Sequence, residues 1–89
     1  MCAVPEVSRF FGIVIRMYFD DHNPPHFHAQ YGDDEMQVGI EPVTALEGGL
    51  PRRAASMVFE WTALHQRELL ENWRRIQQAE SPQRIAPLD

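Results

Sequence analysis

Hydrophobic residues alternate with other residues along the first part of the chain. Between residues 9 and 19 every second position is apolar, and these positions are Phe11, Ile13, Ile15, Met17 and Phe19. This two-residue period, in a segment rich in β-branched and aromatic side chains, predicts a strand with one face in the core. The same period predicts a second strand over residues 26–31 and a third over residues 35–40. Residues 42–46 are a candidate for a short fourth strand.

Residues 21–25 read Asp-His-Asn-Pro-Pro and separate the first two predicted strands. The prolines provide no amide donors, and Pro25 forces Pro24 into an extended conformation, so we expect a stiff loop that closes a hairpin. Core residues must face core residues across the hairpin, which permits a register with Phe19 opposite Phe27. The outer face then pairs Tyr18 with His28, Arg16 with Gln30 and Asp20 with His26.

The second half of the chain follows a helical period instead. Spacings of three and four connect Ala54, Val58, Trp61, His65, Leu69, Asn72 and Ile76. This pattern predicts one long amphipathic helix from Pro51 to about Ala79, or two helices with a bend near His65. Pro51 suits a first helical position, and Ser81-Pro82 ends the helical segment.

These elements predict an α+β fold with a small, mostly antiparallel sheet of three or four strands and the helical segment packed on one face. With so few helices to share, the other face should be largely open, and His26 and His28 should point to it. The 89 residues have room for one domain. We expect residues 1–89 to form it, with an ordered core of about 6–79 and a tail, 80–89, that is loose or a short edge strand.

Composition narrows the choice of partners and compartment. The net charge is −5, and all eight basic residues are arginines, so any contact with RNA or DNA must be local. No apolar run approaches the ~20 residues of a membrane span, and no signal peptide is evident. The single cysteine, Cys2, permits no internal disulfide and is read as incidental. We therefore expect a cytoplasmic protein without a membrane partner.

One interpretation of the histidine-rich hairpin is acid–base chemistry without a metal. Histidine both accepts and donates protons near neutral pH. His26 and His28 would act with Tyr18 and Asp20, Arg16 would hold a phosphate, and the loop residue His22 would support them. This set is what a metal-independent ribonuclease requires, and it needs no cofactor.

A second interpretation is a zinc site. The His-x-His spacing on a strand puts His26 and His28 on one face, and His22 would complete three nitrogen ligands with an open position for water. Asp20 or Asp21 would then orient a ring. A third interpretation is purely structural: the histidines are solvated or bonded to the loop backbone, and Asp20-Asp21 caps the turn. The residues alone leave all three interpretations open.

The sequence closely resembles the bacterial domain of unknown function 4160 family. The resemblance is carried by residues 8–19, by the hairpin segment 21–32, and by later segments at 50–54, 60–61 and 68–73. The histidine hairpin shows no departure from the family pattern.

The resemblance implies a genetic context. Such proteins are typically encoded beside a small protein of the domain of unknown function 2442 family, an arrangement similar to a type II toxin–antitoxin pair. The resemblance thus implies a toxin, acting on RNA or translation, with a small antitoxin-like partner. The alternatives are a non-catalytic binding or regulatory module and a zinc-dependent hydrolase. The substrate and the oligomeric state are not predicted.

Overall fold

Five strands and two helices make up the described part of the chain. The structure is a computed structural model that describes residues 5–89, so Cys2 lies outside the described part. The strands are β1 (Glu6–Phe10), β2 (Ile13–Arg16), β3 (His26–Tyr31), β4 (Asp34–Ile40) and β5 (Val43–Gly48), and they are followed by α1 (Arg52–Leu64) and α2 (Gln66–Gln77). The strands form one antiparallel sheet in the order β1-β2-β3-β4-β5. The predicted α+β class is confirmed.

The predicted number of strands, three or four, is wrong because a tight turn divides the predicted first strand. Phe11 and Gly12 both have positive φ angles, 49° and 81°, and they connect β1 to β2. Consequently Phe11, expected in the core, is 59% exposed, whereas Phe10, expected on the outer face, is buried. The apolar alternation runs through the turn without a break, which is why it resembles one long strand.

The predicted register between β2 and β3 is also wrong, by two residues. Arg16 pairs with His28 and Ile15 with Ala29, so Tyr18 and Phe19 lie beyond the paired segment. A slip of two residues keeps every side chain on its predicted face, so the hydrophobic pattern cannot distinguish the two registers.

The helical segment forms two helices rather than one, and the break between them falls at His65. This agrees with one of the two predicted alternatives. Trp61 of α1 is fully buried, and its ring packs against Phe10 and Phe27, with centroids 5.3 Å and 5.7 Å away. The helices therefore cover the sheet face that carries Phe27. In residues 5–89 no helix has the length and apolar character needed to cross a membrane.

The C-terminal segment forms no strand, but its backbone is bonded to the core. The amide of Ile85 donates to the carbonyl of Val7 at 2.8 Å, and Trp61 Nε1 donates to the carbonyl of Ala86 at 2.8 Å. Ile85 itself is buried. The segment closes the end of the core beside β1.

The turn between β1 and β2 allows a test by substitution. Phe11 adopts a positive φ angle that strains a bulky residue, and its exposed ring contributes little packing. Asn-Gly is the preferred pair for two-residue hairpin turns with positive φ at both positions. We expect Phe11→Asn to raise the free energy of unfolding by about 0.5–1 kcal/mol in urea denaturation. Unchanged or lower stability would mean that the chain does not turn at this position.

Glu6 supplies a pH-dependent contribution to stability. Hydrogen bonds from Arg9 and Arg84 hold the pKa of the Glu6 carboxyl at about 2, below its ordinary value of 4.5. The ionised carboxylate favours the folded state, so its contribution is complete above pH 4.5 and is lost as the pH falls toward 2.

We therefore expect Glu6→Gln to be less stable than the wild type at pH 7, with a difference that shrinks below pH 4.5. Denaturation curves at several pH values measure it. Glu60→Gln, at an exposed position without an ion pair in residues 5–89, serves as the control. A difference that stays constant down to pH 3 would contradict the ion-pair explanation.

Candidate functional site

Residues 17–25, between β2 and β3, fold back over one end of the sheet. The amide of Met17 donates to the carbonyl of Pro5, and the amide of Asp21 donates to the carbonyl of Tyr18, each at 3.2 Å. From α2, Gln77 Nε2 donates to the carbonyl of Asp21 at 3.3 Å. These bonds place Asp21 beside the first residues of β3.

The carboxylate of Asp21 meets two histidines there. Its Oδ2 lies 3.1 Å from Nε2 of His28 and 3.4 Å from Nε2 of His26. The two imidazole rings lie on the same side, with centroids 5.4 Å apart. The three residues each offer one ligand atom, and these atoms lie within 4.8 Å of one another. We refer to Asp21, His26 and His28 as the Asp-His-His cluster.

The other nitrogen of each ring has its own partner. Nδ1 of His26 is 2.7 Å from the carbonyl oxygen of Pro24, and Nδ1 of His28 is 3.0 Å from Oε2 of Glu35. A carbonyl oxygen only accepts hydrogen bonds, so Nδ1 of His26 must carry the hydrogen. Nδ1 of His28 faces the carboxylate of Glu35 and its Nε2 faces the carboxylate of Asp21, so either nitrogen of this ring can carry the hydrogen. Neutral His26 therefore directs an Nε2 lone pair toward Asp21.

Aromatic side chains enclose the cluster. The ring of Tyr18 stands edge-on to His28 with centroids 4.3 Å apart, and Trp73 of α2 lies 5.4 Å from the ring of His26. His26 is consequently 7% exposed. The expectation that both histidines lie on a largely open face is therefore wrong about their exposure, because the loop and α2 cover this end of the sheet.

Tyr18 is protonated over a wide pH range. Burial raises the pKa of its phenol above the ordinary value, and the nearby carboxylate of Glu35 raises it further, while Arg16 partly opposes the shift. The hydroxyl thus remains a hydrogen-bond donor at neutral pH.

Of the remaining predicted site residues, one lies beside the cluster and two are exposed to solvent. Arg16 pairs with His28 across the strands, and its Nη1 donates to Oε1 of Gln30 at 2.6 Å. Asp20 and His22 are exposed and lie outside the set of close ligand atoms found among residues 5–89. The structure thus brings His26, His28, Arg16 and Tyr18 together, and places Asp21 where His22 was expected.

The sequence predicted no site role for Glu35 or Trp73, and it predicted Asp21 to orient a ring or to cap the turn. Glu35 could have been found, because the inward alternation of Met36, Val38 and Ile40 puts it on the outer face with His28. Trp73 is brought to His26 by the packing of α2, for which the sequence carries no local signal. The position of Asp21 depends on the loop conformation, and periodicity says nothing about a loop.

The arrangement permits two kinds of chemistry. Two imidazoles and a carboxylate can pass protons to and from a substrate, or they can bind a divalent cation through two nitrogens and one oxygen. In both cases Arg16 and Tyr18 supply donors beside the reacting groups.

Comparison with known proteins identifies the family. A family model described as Domain of unknown function (DUF4160) matches residues 12–74, a range that contains the Asp-His-His cluster and both helices up to Arg74. No curated protein and no solved structure gives a significant match. The match covers more than half of the chain and agrees with the resemblance seen in the sequence. The chain therefore belongs to the DUF4160 family.

Proposed function

We propose that this chain is a small cytoplasmic enzyme that cleaves RNA, as the toxin of a two-protein module. The observation that carries the proposal is the convergence of three side chains: Asp21 Oδ2 is 3.1 Å from Nε2 of His28 and 3.4 Å from Nε2 of His26. Phosphodiester hydrolysis requires groups that exchange protons or bind a cation, and such groups meet here at one half-buried site.

Arg16 is suited to hold the phosphate. It is the cross-strand partner of His28, so the two side chains leave the sheet on the same face, with Cβ atoms about 4.5–5.5 Å apart. The bond to Gln30 at 2.6 Å orients the guanidinium group and occupies one nitrogen. The remaining N–H donors can form the forked contact with phosphate that lysine cannot reproduce.

Tyr18 is suited to donate a hydrogen bond during the reaction. Its ring contacts His28, and burial keeps its hydroxyl protonated because the phenol pKa is raised. A neutral O–H group beside the cluster can stabilise negative charge that develops on a phosphate oxygen.

The charge of the chain limits how the substrate is held. With a net charge of −5 and no lysine, the protein cannot bind a long nucleic acid through many phosphate contacts. We expect recognition of a short segment of RNA at the cluster. Its affinity should depend only weakly on salt concentration.

The toxin part of the proposal rests on the genetic context that the resemblance implies. The antitoxin-like partner would cover the polar sheet face and block the approach to His28. Along β5 this face is accessible, because Thr44 and Leu46, which lie on the same side as Gly39, are exposed.

The proposal is tested by expression of the chain without its partner. Wild-type protein should arrest growth and cleave RNA in vitro, whereas His28→Ala should lose roughly 10²–10⁴-fold in cleavage rate, the usual contribution of an acid–base group. His65→Gln is the matched control, because His65 lies at the junction of the helices, away from the cluster. Both variants should still bind the partner protein.

Two results would contradict the enzyme proposal. One is a wild-type protein that, when purified and soluble, neither slows growth nor cleaves RNA. The other is a His28→Ala variant that cleaves RNA as fast as the wild type.

A second candidate function is a non-catalytic binding module, and the exposed edge of β5 favours it. Among the described residues β5 pairs only with β4, so its other edge can accept a strand from a partner. In that case the wild-type chain would leave growth unaffected, and substitutions along β5, rather than His28→Ala, would weaken partner binding.

A further inference from the structure

We propose that the Asp-His-His cluster is the ligand set of a divalent transition-metal ion, with zinc as the ion that best suits its donors. The inference deepens the proposed function by naming the cofactor of the same site. Only the catalytic role of the metal rests on the proposed function, because metal binding is measured without a substrate.

The first argument comes from the hydrogen atoms. His26 donates from Nδ1 to the carbonyl of Pro24, and His28 faces Glu35 with its Nδ1. Neutral His26 therefore has no hydrogen on Nε2, yet this atom approaches the same oxygen of Asp21 that Nε2 of His28 approaches. The Nε2 lone pair of His26 and the Asp21 oxygen repel one another unless a cation lies between them.

A proton on His28 satisfies only part of this arrangement. It would give His28 two donors, one for Asp21 and one for Glu35. His26 would still direct its second nitrogen at the same Asp21 oxygen, 3.4 Å away. A single ion bound by all three atoms satisfies both histidines and the carboxylate together.

The second argument comes from the distances. Ligand atoms about 2.0–2.1 Å from a tetrahedral zinc ion are separated from one another by roughly 3.3 Å. The two distances from Asp21 Oδ2, 3.1 Å and 3.4 Å, fall on either side of that value. Two of the three distances between ligand atoms thus already match a tetrahedral ion, and the third is within 4.8 Å.

The third argument comes from the partners of the ligands. Histidines that bind metals usually donate their second ring N–H to a carboxylate or a backbone carbonyl, which fixes the tautomer and the ring orientation. The cluster has one partner of each kind, since His28 faces the carboxylate of Glu35 and His26 the carbonyl of Pro24. Both rings are in addition held by aromatic neighbours, Tyr18 and Trp73.

Two nitrogens and one carboxylate oxygen leave at least one coordination position for water or substrate, as in catalytic zinc sites. The side chains of His28 and Asp21 are 11% and 16% exposed, so solvent reaches the cluster. When bound, the ion would lower the pKa of a coordinated water and polarise a phosphate oxygen. Arg16 and Tyr18 would then position the substrate.

The test measures metal on the purified full-length chain. Elemental analysis after expression in zinc-supplemented medium should find about one equivalent of zinc. After removal of the metal by a chelator, titration with Co²⁺ should produce the visible absorption bands of a tetrahedral complex, and Zn²⁺ should displace them. The same titration is repeated on four variants, each first shown to be folded by circular dichroism.

The expected results follow from the role of each residue. Removal of a residue that is bonded to a metal ligand usually weakens metal binding roughly 10–100-fold, so Glu35→Gln should lose metal affinity within that range. Asp21→Asn keeps the side-chain shape but removes a ligand, so it should lose more. His65→Gln should bind as the wild type does. Because Asp21 is only partly buried, Asp21→Asn keeps the test decisive even if His26 variants fail to fold.

The ligand set is overturned if the wild type takes up neither zinc nor Co²⁺, or if Asp21→Asn binds both metals as tightly as the wild type. It is also overturned if His22→Ala abolishes binding while Asp21→Asn does not, because the ion would then belong to the loop histidine. Metal binding without RNA cleavage would refute the proposed function alone. RNA cleavage by a metal-free protein would refute the metal site alone.

Discussion

The pairing of β2 with β3 in one register, Arg16 opposite His28, determines the rest of the site. Because β2 ends at Arg16 and β3 begins at His26, residues 17–25 cannot form a tight hairpin and must fold back. Met17 bonds to Pro5, beside β1, instead of extending the pairing with β3. This longer loop places Asp21 over the end of the sheet, beside the two histidines. A register longer by two residues would leave a short loop and would place Asp20, not Asp21, opposite His26.

Much of the fold could be predicted from the sequence because it depends on regular periods. The alternation in β3 and β4 and the spacing of three and four in the helices are local signals, and the break at His65 was one of two predicted alternatives. The turn at Phe11 could not be predicted, because phenylalanine is not a residue type that indicates a turn with positive φ. The register of β2 and β3 could not be predicted, because a slip of two residues leaves each side chain on the same face of the sheet.

The candidate site was predictable only as far as it depends on strands. His26 and His28 share a side because side chains two apart in a strand always do. Asp21, Glu35 and Trp73 reach them through a loop, a neighbouring strand and a packed helix, and these are tertiary relations. The structure replaces an open surface with an enclosed cluster in which Nδ1 of each imidazole has its own partner and Nε2 of each imidazole faces Asp21.

The register is measured most directly by nuclear magnetic resonance on the isotopically labelled chain. Cross-strand Overhauser contacts between backbone protons should connect Arg16 with His28 and Ile13 with Tyr31, with none between the backbones of Tyr18 and His28. Backbone contacts from Tyr18 to His28 and from Arg16 to Gln30 would instead establish the slipped register. In that case Asp21 would be part of a short turn, and the Asp-His-His cluster would not form.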